Sequence, residues 1–135
     1  MAIDHGSKRV GIAITDPLKL IATGLTTVRT HEAIAFIEDY LKKEEVEAII
    51  VGEPRSLRNL STDGTREADN FAKTLKKKFP GKKIERMDER FTSKMAFQTM
   101  IDSGLKKKDR QKKELIDEIS ATIILQNYLE LINRP

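Results

Sequence analysis

Cysteine is absent from this sequence of 135 residues. Its absence excludes disulfides, thiolate zinc sites and cysteine nucleophiles. No stretch approaches the roughly 20 apolar residues that span a bilayer, so no membrane segment is expected. The opening residues lack the basic region, apolar run and cleavage site of a secretory signal. A cytoplasmic protein is the expectation. Internal repeats, linkers and low-complexity tracts are also missing. The length suits one sheet-based domain over residues 1–135 and is too short for two sizeable ones.

Charge is what the chain has in excess. Charged residues make up 34% and hydrophobic residues 39%, which implies a compact core under a heavily charged surface. The net charge of +4 is modest, and its distribution is more informative. Lys106, Lys107, Lys108, Arg110, Lys112 and Lys113 form one dense run, opposed only by Asp109. Such a run attracts polyanions by neutralising phosphates and releasing counterions. It equally suits a solvated helix end, where cations offset the negative pole of the dipole. Lys76, Lys77 and Lys78 fit the second reading better.

Hydropathy patterning gives the element order. Residues 1–4, 10–15 and 22–28 read as strands of an antiparallel meander, the third edge-like, with His5 to Arg9 as the first turn. Ala33, Ile34, Ile37, Tyr40 and Leu41 then recur at helical spacing, with Thr30 as the expected N-cap. Ala48 to Gly52 is a short apolar run of the kind buried on both faces. Residues 53–64 read as a loop. Ala68, Phe71, Ala72 and Leu75 mark a second helix closed by Pro80-Gly81. Residues 83–88 form a last strand. A helix capped by Thr92 or Ser93 runs to about Ser103 and ends at Gly104. A final helix carries Leu115, Ile119, Ile123 and Tyr128. Alternating strands and helices after a meander predict an α/β fold on a mixed five-stranded sheet.

Three acidic positions stand out. Asp4 ends the first strand before a glycine, Asp88 and Glu89 end the last, and Asp117 opens the final helix. If the first and last strands run parallel, their C-terminal ends share the edge where α/β sheets bind ligands. Ser120 and Ala121 lie on Asp117's face of its helix and are small, so that helix can approach the sheet closely. Carboxylates gathered there would repel each other without a cation, and hard oxygen donors suit Mg2+ or Mn2+. Such ions activate water and stabilise the leaving oxygen of a phosphodiester. Each acid taken alone reads as well as a solvated strand end or a cap. Ser7, Lys8 and Arg9 either meet a phosphate or merely close the hairpin. His5 and His31 lack metal-ligand spacing and are expected at the surface. Met95, Phe97, Met100 and Ile101 read as core.

At this point a resemblance enters. Asp4-His5-Gly6-Ser7-Lys8-Arg9-Val10-Gly11-Ile12-Ala13 resembles the opening motif of the YqgF (RuvX) family. Thr15-Asp16-Pro17, Ile50-Val51-Gly52-Glu53-Pro54, Asp88-Glu89-Arg90-Phe91-Thr92-Ser93 and the stretch from Lys112 to Leu129 are similar to its later motifs, in the same order. The resemblance implies an RNase H-like fold and phosphodiester cleavage with magnesium or manganese. It implies a nucleic-acid substrate, either the 5′ end of the 16S ribosomal RNA precursor or a four-way DNA junction. A junction resolvase would act as a homodimer, to cut two strands symmetrically. Carried over by position, the catalytic acids are Asp4, Glu89 and Asp117, with Asp88 beside them as a further metal ligand. Arg90 would support the site or contact phosphate, beside Lys8, Arg9 and the basic run from Lys106 to Lys113. His5 departs from the family's usual tyrosine and Glu53 from its usual leucine.

Two rivals compete. Sugar kinases and actin-like ATPases also follow a first strand with an Asp-x-Gly turn, but they need a second domain and phosphate loop that 135 residues cannot hold. A non-catalytic RNA-binding module would keep the basic run and would not need the acids.

Overall fold

The computed structural model describes residues 1–53, 63–88 and 113–133. Five strands form one mixed sheet: β1 (Ala2–His5), β2 (Arg9–Thr15), β3 (Ala22–Arg29), β4 (Ala48–Glu53) and β5 (Lys83–Asp88). Their spatial order is β3-β2-β1-β4-β5. β1, β2 and β3 pair antiparallel, whereas β4 runs parallel to both β1 and β5. The expected meander, the parallel portion and the edge position of the third strand are all present. Among the described residues three α-helices accompany the sheet: α1 (Ala33–Lys43), α2 (Asp63–Lys78) and α3 (Lys113–Ile132). None is long and apolar enough to cross a membrane. The helix expected over 92–103 lies outside the described residues, as do Met95, Phe97, Met100 and Ile101.

Alternation along the strands divides the core between two faces. On one face Ile3, Val10, Ile12, Ile49 and Val51 pack against Ile37 of α1 and Phe71 and Leu75 of α2. On the other, Ala2, Ala13, Ala22 and Ile50 meet Ala121, Ile124, Leu125 and Leu129 of α3. The first face carries branched side chains. The second is floored largely by alanine and glycine, so α3 lies close to the backbone of the sheet. Within β4, Ile49, Ile50 and Val51 are all buried, as a strand covered on both faces requires. Each such side chain contributes roughly 1.5–3 kcal/mol.

Local expectations needed three corrections. Thr30 does not cap α1. A 3-10 turn, Thr30–Glu32, precedes the helix, and the Thr30 hydroxyl donates instead to the Gly6 carbonyl at 2.7 Å. The loop assigned to 53–64 is shorter at both ends, because Glu53 completes β4 and α2 begins at Asp63. His5 is not a surface residue. It continues the alternation of Met1 and Ile3 onto the α2 face, where its ring lies 4.8 Å from that of Phe71.

Candidate active site

The site grows from the register of three strands. Asp4 of β1 stands opposite Gly11 of β2. Gly11 has no side chain, and the backbone of α3 occupies the vacated space. A Cβ built on Gly11 would overlap the carbonyl group of Asp117. Asp4 and Asp117 are therefore both neighbours of one glycine, although the sequence separates them by most of its length. Gly24 of β3 makes the equivalent seat for the side chain of Glu118. Ser120 and Ala121, the small residues one turn along α3, are fully buried, as the close approach demands.

β5 brings its end to the same edge. Ile3 pairs with Val51 and Val51 with Arg86, while Glu53 pairs with Asp88. The backbone of Asp88 thus terminates β5 at the C-terminal edge where β1 and β4 also end. Glu89 and Arg90 lie outside the described residues. So does the basic run from Lys106 to Lys112, and Lys113 is described only as the first residue of α3.

Arg9 gives the site its electrostatic character. Its Nε donates to Oδ2 of Asp117 at 2.9 Å, with both side chains about one-quarter exposed. The Arg9 guanidinium therefore offsets the Asp117 charge. The sequence leaves Arg9 either as a phosphate contact or as a closing residue of the hairpin, and its pairing with Asp117 is in neither expectation. Lys8, by contrast, is exposed at the turn, where the Gly6 N–H donates to the Arg9 carbonyl at 2.9 Å.

The opposite face of the same edge is held differently. Arg86 donates from Nε to the Val51 carbonyl at 3.2 Å, reaches the Gly52 carbonyl at 3.4 Å, and forms an ion pair with Asp69 of α2. Nearby, burial holds the His5 imidazole below its usual pKa, while Glu67 opposes that shift and Arg86 reinforces it. His5 is directed away from the Gly11 side of the sheet, so it supports the end of β1 from behind.

The sequence matches the family model described as RuvX, Holliday junction resolvase, over residues 1–131. The chain belongs to the RuvX family. Membership places it among hydrolases acting on phosphodiester bonds, and the mixed sheet agrees with the RNase H-like fold of that family. A relative from Flavobacterium psychrophilum is 57% identical over 129 residues, spanning 96% of this chain and 94% of its own. One from Bacteroides thetaiotaomicron is 56% identical over 130 residues, with the same coverage. A third, from Amoebophilus asiaticus, is 46% identical over 134 residues, covering 99% and 95%. Each carries the name "Putative pre-16S rRNA nuclease".

Proposed function

We propose that this RuvX-family chain is a divalent-metal-dependent endonuclease that processes the 5′ end of the 16S ribosomal RNA precursor. The observation that carries the reading is the meeting of Asp4 and Asp117 at Gly11, on the edge where β1, β4 and β5 end. The relatives' shared name supports ribosomal RNA as the substrate.

The residues present fit a hard metal ion. With His5 on the other face, the residues that meet at Gly11, Asp4 and Asp117, carry carboxylate oxygens, the donors that magnesium and manganese prefer. Among the described residues no three acids or histidines gather into a complete cluster. Asp4 and Asp117 would be two of the ligands, and Asp88 at the end of β5 or Glu89, next in the sequence, would supply the third, with Glu89 favoured. When bound, the ion supplies positive charge that lowers the pKa of an attacking water and stabilises the leaving oxygen. Arg9 orients the Asp117 carboxylate through Nε, and its remaining N–H groups can bond a phosphate oxygen. Gly11 fixes the height of Asp117 above the sheet. The basic run from Lys106 to Lys113 would hold the strand by its phosphates.

The substrate is tested by incubating the purified protein and Mn2+ with precursor 16S rRNA, unrelated single-stranded RNA and a four-way DNA junction. Cleavage confined to the precursor near the mature 5′ end is expected. Symmetric cutting of the junction alone would instead favour the resolvase activity in the family's description.

A further inference from the structure

A cleft opens beside the acidic edge, between the β1–β2 turn and the end of β3. Ser7, Lys8 and Arg9 line one wall, and Thr27, Arg29 and His31 line the other. Its walls are fixed in advance. The Thr30 N–H donates to the Lys8 carbonyl at 3.1 Å, and the Thr30 hydroxyl donates to the Gly6 carbonyl at 2.7 Å, stapling the end of β3 to the turn.

The charges in this cleft are unusual for a structural element. Arg9 and Arg29 stand directly opposite each other in the β2–β3 register. Like charges on one rung of an antiparallel pair disfavour folding. Asp117 offsets Arg9. Among the described residues neither Lys8 nor Arg29 has an ion-pair partner, and both are exposed. Two exposed cations lining one cleft, with no ion-pair partner among the described residues, form a site for an anion, and the planar guanidinium of Arg29 matches phosphate geometry.

We propose that this cleft is a second backbone subsite, in which Arg29 and Lys8 grip a phosphate of the substrate strand beyond the one being cut. The inference rests on the nuclease reading. Arg9 lines the cleft and also touches Asp117, so a strand passing from the acidic edge across the start of β2 towards β3 enters the cleft directly. Cations and hydroxyls read phosphates without reading bases, so the grip would be indifferent to sequence.

Binding of labelled single-stranded RNA is measured by fluorescence anisotropy in EDTA across a salt series. The proteins are wild type, Arg29→Gln, Arg29→Lys and the surface control Lys43→Gln. Arg29→Gln should weaken binding roughly five- to tenfold and lower the slope of log affinity against log salt by about 0.7, the value of one single-strand phosphate contact. Arg29→Lys should keep most of the slope, and Lys43→Gln should change neither quantity. The melting temperature of Arg29→Gln should be unchanged or higher, since a like-charge pair is relieved. Wild-type affinity and slope in Arg29→Gln overturn the subsite, even if the protein cleaves RNA. The expected slope loss in a protein that never cleaves keeps the subsite and overturns the nuclease reading. Failure of the wild-type protein to bind any RNA overturns the subsite as well.

Discussion

Gly11 of β2 lies directly beneath the Asp117 carbonyl of α3, and the contact is possible only because residue 11 has no side chain. Backbone meets backbone there, so neither side can rotate out of the way. Gly11→Ala should lift the start of α3, at a cost of about 1–3 kcal/mol, the usual range for overpacking. Activity should fall further, on the order of 10²-fold, because small displacements of a catalytic group have that effect. Gly24→Ala provides the contrast. Its obstacle is the Glu118 side chain, which can swing aside. Chemical denaturation and cleavage rates on both variants test the difference.

Arg9 offsets Asp117 in the metal-free protein. This part-buried pair rests on a single Nε bond and should contribute on the order of 1 kcal/mol, so Arg9→Gln should lower the melting temperature only modestly. The larger effect should appear on adding Mn2+. With Arg9 gone, Asp117 loses one compensating positive charge, and the metal-induced rise in melting temperature should exceed that of wild type. A thermal-shift titration with Mn2+ reads it directly, and an equal or smaller rise would contradict the role given to Arg9.

Arg86 ties β4 to α2 through two carbonyls and Asp69. Its side chain is about one-fifth exposed, so the bonds are partly shielded from water. Arg86→Met should destabilise by about 1.5–3 kcal/mol, the range for bonds to a charged group. Arg86→Lys should recover little, because one ammonium cannot reproduce the fork. The check is a shift of the urea midpoint at constant slope.

Much of this architecture is legible in the residues. The apolar run Ala48–Val51 announces a doubly covered strand, and the acids towards the ends of β1 and β5 fall on one sheet edge because those strands run parallel. What escapes a single sequence is contact between distant elements. Nothing local to Arg9 indicates Asp117 or Arg29 as its neighbour, since both depend on register and on the seat of α3. Thr30 has the chemistry of a cap but finds the Gly6 carbonyl first. His5 could have been placed correctly. Alternation from Met1 through Ile3 sets it on the face that Phe71 covers, and assigning it to a turn one residue early concealed this.

Tyr128 of α3 faces the Glu85 carboxylate of β5, near enough for its hydroxyl to be held by it. Burial, then that carboxylate, pushes the phenol up to about 12. The raised value means that the folded state holds this proton more tightly than the unfolded chain. The stability it contributes is therefore complete below pH 10 and is lost as the pH climbs towards 12. Tyr40 is also raised, by burial and Glu44. Ultraviolet titration of the two tyrosines should show a late component near 12 that disappears in Tyr128→Phe. Full ionisation of both near 10 in folded protein would contradict the Glu85 contact.

The central claim is that Asp4 and Asp117 act together as metal ligands in phosphodiester cleavage. The most direct measurement is the single-turnover cleavage rate of labelled precursor 16S rRNA with Mn2+, for wild type, Asp4→Asn and Asp117→Asn. The account predicts cleavage by wild type, its abolition by EDTA, and a loss of at least about 10²-fold in each variant while RNA binding in EDTA persists. Cleavage that survives EDTA, or that continues at the wild-type rate in either variant, would contradict it.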